Sequence, residues 1–381
     1  MDDAEFVQPK KIQESPPEPS GLIAWLATTA GRILISLFVP ILTFLVLWQG
    51  FVFLRNSNAP QVVLILVAIL WGVGGVALLF LVSNWLVEQL PGEWTRRLQP
   101  FVFVGPGVAI LSWYLAIPTL RTLWLAFQDA NSTRFVGLDN FIFAFTDRVM
   151  LEAFRNNLLW MVFGTSFTVG LGLLIAVLAD RSRFENIYKA IIFMPMAISF
   201  VGAGVIWKFV YAYKGTGVGI QETGLLNAML IGLGGTPQPW LTQPPWNNFL
   251  LIVIMVWLQT GYSMVIISSA IKGIPMELLE AARVDGATEV QAFFGITIPY
   301  IQGTLITVIT TVVIFSLKLF DVVRVMTGGN YGTNVIANEF YVRRFTYGNS
   351  GQASAIAIVL LVAVIPVMYY NLRQFRESRA F

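Results

Sequence analysis

Long apolar stretches alternate with short polar ones along almost the whole chain. The apolar stretches cover residues 33–54, 61–87, 101–127, 158–179, 190–211, 248–271, 304–325 and 352–372. The first runs from Ile33 to Leu54 without a charge, between Arg32 and Arg55. As a helix rising about 1.5 Å per residue it measures about 33 Å, enough for a hydrocarbon core of about 30 Å. In lipid the backbone can satisfy its polar groups only within helices or closed barrels, and runs this long read as helices. The pattern therefore predicts an all-α membrane protein with about eight transmembrane helices. The second stretch contains Gly72, Gly74 and Gly75, which either admit a close neighbouring helix or are simply tolerated. Pro195 lies inside the fifth.

Composition supports this reading. Only 12% of residues are charged, against about 25% in soluble domains. Twelve Trp and eleven Tyr suit two membrane interfaces, where amphipathic rings settle. The absence of Cys and His excludes Cys or His metal sites, catalytic thiols and Ser-His-Asp triads. A net charge of +3 gives no indication of nucleic acid as a partner. Residues 1–31 are largely polar, Pro-rich and mixed in charge, and read as a disordered tail. They do not resemble a secretory signal, because the apolar run that follows is too long and lacks a small-residue cleavage site. An even number of spans puts both termini on one side. Arg96, Arg97, Arg181, Arg183 and Lys189 lie in short loops on that side, which assigns both termini, including the basic tail 373–381, to the cytoplasm.

The polar stretch between the sixth and seventh spans carries the most information. It reads GIPMELLEAARVDGATEVQAFFGITIP, from Gly273 to Pro299. Pro275 suits the first turn of a helix, and Glu277 and Glu280 suit its positive N-terminal end. Gly286 can adopt positive φ and close the helix with a sharp turn. A second short helix is expected over Ala287 to Phe294, before Ile296 to Pro299 re-enters the membrane. Such a hairpin either docks on a protein or lies on lipid. A lipid-facing helix favours Lys and Arg on its polar face, whereas this one is mainly acidic.

Glu280-Ala281-Ala282, Asp285-Gly286-Ala287 and Ile296-Thr297-Ile298-Pro299 together resemble the signature loop of ABC importer permeases. The resemblance extends over about residues 100–372. It includes Gly137-Leu138-Asp139-Asn140-Phe141, Met194-Pro195, Gly224-Leu225-Leu226-Asn227, Phe320-Asp321 and Thr327-Gly328-Gly329. These look like the larger permease subunit of maltose-type, α-glucoside and glucosylglycerol transporters. Ile298 stands where the family usually has Leu, and residues 128–156 are far too few for the large external domain of the maltose protein.

The resemblance implies a six-helix type I ABC importer permease core over 100–372, preceded by two extra N-terminal transmembrane helices over 32–99. The implied activity is ATP-driven, binding-protein-dependent import of a sugar or sugar-like solute such as an oligosaccharide, an α-glucoside or glucosylglycerol. The implied partners are a second permease subunit, two ATP-binding subunits, an extracytoplasmic solute-binding protein and membrane lipid, in the cell inner membrane. ATP and Mg would be bound by partner subunits. This chain has no G-x-x-x-x-G-K-[ST] phosphate loop and is not expected to be an enzyme. Coupling to the ATPase falls on Glu280, Ala281, Ala282, Asp285 and Gly286, although Glu280 equally suits a pair with Arg283 within its own helix. Substrate-binding positions carried over are Gln259, Tyr262 and Ser316. Tyr262 equally suits packing between helices, and Ser316 equally suits a bond to its own backbone. Lys318 and Asp321, three apart, would share a helix face as an ion pair. Two other classes compete: an ion-coupled secondary transporter, for which no Asp or Glu lies deep in a span, and a membrane-embedded enzyme, for which no carboxylate cluster is found.

Overall fold

A computed structural model describes residues 29–90, 92–180, 182–215 and 224–377. The predicted N-terminal tail lies outside these residues up to position 28, as does the C-terminal tail from position 378. The described chain is helical, with only an isolated bridge between Gln128 and Phe135. Seven helices are long and apolar enough to cross a membrane, or eight if one bent pair is a single span. The chain divides into two compact units, residues 1–117 and 118–381.

In the first unit, α1 (Thr29–Asn56) and α2 (Gln61–Glu88) pair. Gly50 makes room for the Trp71 ring, whose indole N–H donates to the Leu47 carbonyl at 2.9 Å. Gly75 meets Leu47, while Gly72 and Gly74 face open space. Helix α3 (Gly92–Leu125) follows, widened to a π-turn at Ser112–Ala116 between Pro106 and Pro118. Most large apolar side chains of α1 to α3 are exposed. In water such a surface would be a liability; facing lipid tails, it is not.

The second unit is built around α9 (Trp246–Lys272), which is buried along much of its length. Residues 128–156, read as a polar loop, contain the short helix α4 (Asp139–Thr146) and the start of α5 (Arg148–Asp180). Asp147 caps α5 by accepting from the Val149 N–H. Helix α5 packs along α9 through a small-residue face. A Cβ at Gly172 would lie 2.6 Å from Ser263 Cβ, and one at Gly164 would lie 3.2 Å from Met255 Sδ. Without a hydrophobic drive between helices in lipid, such close van der Waals fit supplies the adhesion.

Two of the spans are broken, and one sequence expectation fails with them. The fifth span is not one straight helix: α6 (Glu185–Ala197) and α7 (Phe200–Val210) meet at a 100° bend. Pro195 removes a backbone donor, and Ser199 starts α7 as an N-cap, accepting from the Gly202 N–H at 3.0 Å. The seventh span, residues 289–326, is interrupted. Helix α11 occupies residues 289–317 and a separate α12 (Asp321–Met326) follows. Lys318 and Asp321 therefore lie on either side of a break and do not share a helix face. No Gly or Pro marks this stop. The Leu317 carbonyl instead accepts from the Asn157 side chain of α5 at 3.2 Å.

The end of the unit opposite the hairpin is fastened by side-chain amides. Before α9, Asn227 of α8 (Leu225–Gly232) is fully buried and bonds the backbone of Ala212 and Gln238 and the Trp240 indole. Asn156, Asn247 and Asn248 hold the carbonyls of Tyr331, Gly332 and Asn334 at 2.8–2.9 Å. This loop leads through α13 (Ile336–Tyr341) to α14 (Ser350–Glu377), the last span.

Candidate functional site

The hairpin opens at Pro275, whose extended ψ of 132° starts α10 (Met276–Val284). Its end follows local hydrogen-bond rules. The Gly286 N–H donates to the Arg283 carbonyl at 3.1 Å and the Ala287 N–H to the Ala282 carbonyl at 2.9 Å. With Gly286 at φ +78°, this is a Schellman closure. A Cβ on Gly286 would meet nothing within 4 Å, so only its backbone angle demands glycine.

Thr288 then caps α11 reciprocally with Gln291, and α11 runs from Glu289 through a π-turn at Phe293–Thr297 into the membrane span. The expected separate helix over Ala287 to Phe294 is thus the first part of a longer one. Two ties hold the arms together: Arg283 reaches Glu289 at 3.3 Å, and the Tyr300 hydroxyl donates to the Gly273 carbonyl at 3.1 Å. Arg283 thus pairs with Glu289 rather than with Glu280.

Helical spacing sorts the signature residues. Glu277, Glu280, Ala281 and Val284 form one exposed face, and Asp285 and Gly286 are exposed at its end. Val284 is 87% exposed, a large apolar side chain that the sequence reading did not single out. Ala282 is buried and Leu279 half-buried on the opposite face, toward the chain's own core. A cleft of about 300 Å³ lies behind, lined in part by Val177, Asp180, Leu279, Arg283 and Phe293.

Gln259 is the midpoint of the 27-residue α9, and so lies about 20 Å from either helix end. It is 9% exposed, and its amide has no hydrogen-bond partner among the described residues. Its amide atoms are not among the enclosed, unpartnered ones, so water or a solute can reach them. Tyr262 is half-buried and packs on the core. Between them, Gly261 lies directly under α6: a Cβ there would lie 2.6 Å from the Ile192 carbonyl oxygen and 2.7 Å from Phe193 Cα. The segment leading into the bend between α6 and α7 is therefore seated on the Gly261 face of α9; at about 100° per residue Tyr262 lies to one side of that face and Gln259 nearly opposite it. Phe200, just past the bend, stacks near Phe315 with ring centroids 4.8 Å apart. Ser316, next to Phe315, is fully buried, and its hydroxyl donates to the Val313 carbonyl of its own helix at 2.9 Å. The sequence offered no signal for Gly261, because its role depends on a backbone about 70 residues away.

The described residues contain no cluster of His, Cys, Asp and Glu able to hold a metal. The arrangement is an exposed acidic hairpin at one end of a buried helix and an unpartnered polar group at its middle, suited to binding and movement.

Comparison with known proteins agrees. Residues 168–378 match the family described as binding-protein-dependent transport system inner membrane component. The chain is 56% identical over 277 residues to the osmoprotective compounds uptake permease protein GgtC of Synechocystis sp., covering 73% of this chain and 99% of that one. It is 44% identical over 285 residues to the alpha-glucoside transport system permease protein AglF of Rhizobium meliloti, covering 74% and 84%. In fold it is similar to a chain of a bacterial alginate ABC transporter solved with an alginate pentasaccharide-bound periplasmic protein. That likeness has a TM-score of 0.63 at 23% identity, over 75% of this chain and 96% of that one. With the matched region spanning more than half of the chain and relatives this similar, the protein belongs to the family of binding-protein-dependent transport system inner membrane components.

Proposed function

We propose that this permease imports an α-glucoside or a glucosyl-type osmoprotective solute, powered by ATP hydrolysed in separate ATP-binding subunits. The observation that carries the reading is the exposed hairpin with Glu277, Glu280, Ala281, Val284 and Asp285 outward and Gly286 at its turn. A rigid acidic knob with a protruding Val284 has the form of a docking element for a cleft on another protein, and Ala282 anchors it from behind. The solute class rests on the relatives named for osmoprotective compounds and alpha-glucosides.

In this reading the hairpin end of α9 faces the cytoplasm, and both termini do too. Two ATP-binding subunits, holding ATP and Mg, lie below this chain and a second permease. Residues 32–99 supply the two extra helices and residues 100–372 the permease core, and a solute-binding protein delivers its cargo at the end of the core opposite the hairpin. Closure of the ATPases and docking of the loaded binding protein favour the same state, so each strengthens the other. Gln259 donates to and accepts from solute hydroxyls, and Tyr262 offers a ring face. Ser316 joins them only when the helix end at Leu317 moves. Family membership sets aside the ion-coupled and enzymatic alternatives.

The test is uptake of a labelled α-glucoside into proteoliposomes holding the complete complex. Uptake is expected to need ATP on the hairpin side and loaded binding protein on the other. Uptake driven by an ion gradient without ATP would overturn the proposal. Because the chain has no Cys, a single Val284→Cys change also reports sidedness. Labelling is expected from the ATP side alone, and to be blocked by the ATPase.

A further inference from the structure

Lys272 is the last residue of α9, directly before Gly273 where the hairpin begins. Its Nζ lies 2.7 Å from one Glu185 carboxylate oxygen, 2.9 Å from the other, and 3.8 Å from Asp180. Glu185 is also paired with Lys189, whose Nζ donates to the hydroxyl of buried Ser268 on α9. Two acids and two bases thus join the ends of three elements: Asp180 from α5, Glu185 and Lys189 from α6, and Lys272 from α9. An isolated exposed ion pair contributes little. This cluster differs, because the Glu185 and Lys189 side chains are only 19% and 18% exposed and Glu185 is shared by both cations.

Helix α6 connects this cluster to the middle of the unit. Its 13 residues span about 20 Å. One end is held at the base of the hairpin. Past its middle, at Ile192 and Phe193, its backbone rests on Gly261 of α9, a few residues before the 100° bend. With no side chain interposed at Gly261, the two backbones can slide or tilt past one another only together with their ends.

We propose that Glu185 is a positioning residue for transport: its pairs with Lys272 and Lys189 make α6 a strut that carries hairpin displacement to the bend that follows its seat on Gly261 of α9. This rests on the hairpin being the ATPase contact. Severing the cluster leaves the hairpin able to bind and the ATPase able to turn over, but loosens the link between them and the pathway.

The experiment measures solute taken up per ATP hydrolysed by the complete complex in proteoliposomes, together with ATPase co-purification and basal hydrolysis. Glu185→Gln and Lys272→Met are expected to keep assembly and basal hydrolysis and to lower uptake per ATP by roughly five-fold or more, the lower range of a coupling free energy. The double variant is expected to be no worse than either single one, since both break the same link. Intact assembly with an unchanged ratio, or losses that simply multiply, overturns the strut. Failure of the unaltered chain to recover an ATPase overturns the hairpin reading and the strut with it. Should Glu185→Gln fail to assemble, Ser268→Ala, which leaves all four charges in place, is read instead. A lowered ratio there supports the strut, and an unchanged one overturns it.

Discussion

The hairpin of residues 273–297 and the middle of α9 are the two regions on which the proposed mechanism depends most, and they are built in opposite ways. The hairpin is made of local bonds and is mostly exposed. Gly286 closes α10 on carbonyls three to five residues back, Thr288 caps α11 with Gln291, and Arg283 reaches Glu289. The middle of α9 is buried, and its decisive contact is Gly261 against Ile192 and Phe193 of another helix. Both regions depend on a glycine for different reasons: Gly286 has open space but a left-handed backbone, whereas Gly261 has an ordinary helical backbone but no space. A short-range motif can therefore define a docking element. A pathway at the bilayer centre needs partners distant in the chain.

The sharpest break of this comparison is Gly261→Ala. The added Cβ falls 2.6 Å from a backbone oxygen that a side-chain rotation cannot relieve. Overpacking of this kind destabilises by about 1–3 kcal/mol. A clear drop in the melting temperature of the purified complex is expected, with loss of uptake. An unchanged melting curve would mean that α6 shifts freely along α9.

Gly286→Val acts on the other side of the comparison. A β-branched residue in the left-handed region meets a penalty of about 1–2 kcal/mol or more, confined to the hairpin. ATP-driven uptake in vesicles is expected to fall while the spans melt as before. Full uptake by this variant would remove the turn from the coupling role.

Gln259→Leu should have a smaller effect and separates structure from transport. An amide without partners contributes nothing to stability, so its apolar replacement is expected to leave melting unchanged or slightly raised. If Gln259 bonds the solute, uptake at low solute concentration falls roughly two- to ten-fold, the worth of one hydrogen bond. Wild-type kinetics across solute concentrations would exclude Gln259 from the pathway.

The smallest effect is expected at Asp129, a second locally built turn that serves as a control. Its carboxylate accepts from the Thr133 N–H at 2.8 Å, the main reason its pKa lies below the usual aspartate value. A lowered folded pKa means the contribution is present above the unfolded value and is lost as pH falls through the folded one. Asp129→Asn should flatten this acid-side dependence in amide exchange of residues 129–134 and leave uptake at neutral pH unaltered.

The signature loop was legible because every bond that shapes it lies within a few residues, so order and spacing carry it. Its outward face was legible only in part. Glu280 and Ala281 point away from the core as a docking element would, yet the same helical turn buries Ala282 and exposes Val284, and that sorting comes from what α10 packs against. At Gln259, Tyr262 and Ser316, the candidate substrate positions, the surroundings were not visible in the sequence. Ser316 is occupied by its own helix and Gln259 by nothing. The breaks in the two spans were hidden for one reason. Pro195 was visible but the direction of the chain after it was not, and the stop at Leu317 is set by Asn157, about 160 residues earlier.

By itself, the sequence determined that this chain is a multi-span helical membrane protein and which loop meets the ATPase in the proposed mechanism. Apolar length and short-range turn chemistry act on neighbouring residues and need no tertiary context. Only the tertiary structure decided where the fifth and seventh spans break, that Gly261 seats α6 on α9, and that Glu185 ties the hairpin base to that strut. The stop at Leu317, the Gly261 seat and the Glu185 tie come from backbones and charges brought together across about 70 to 160 residues of chain. Close packing selects them in lipid, where apolar surface alone does not distinguish one helix neighbour from another.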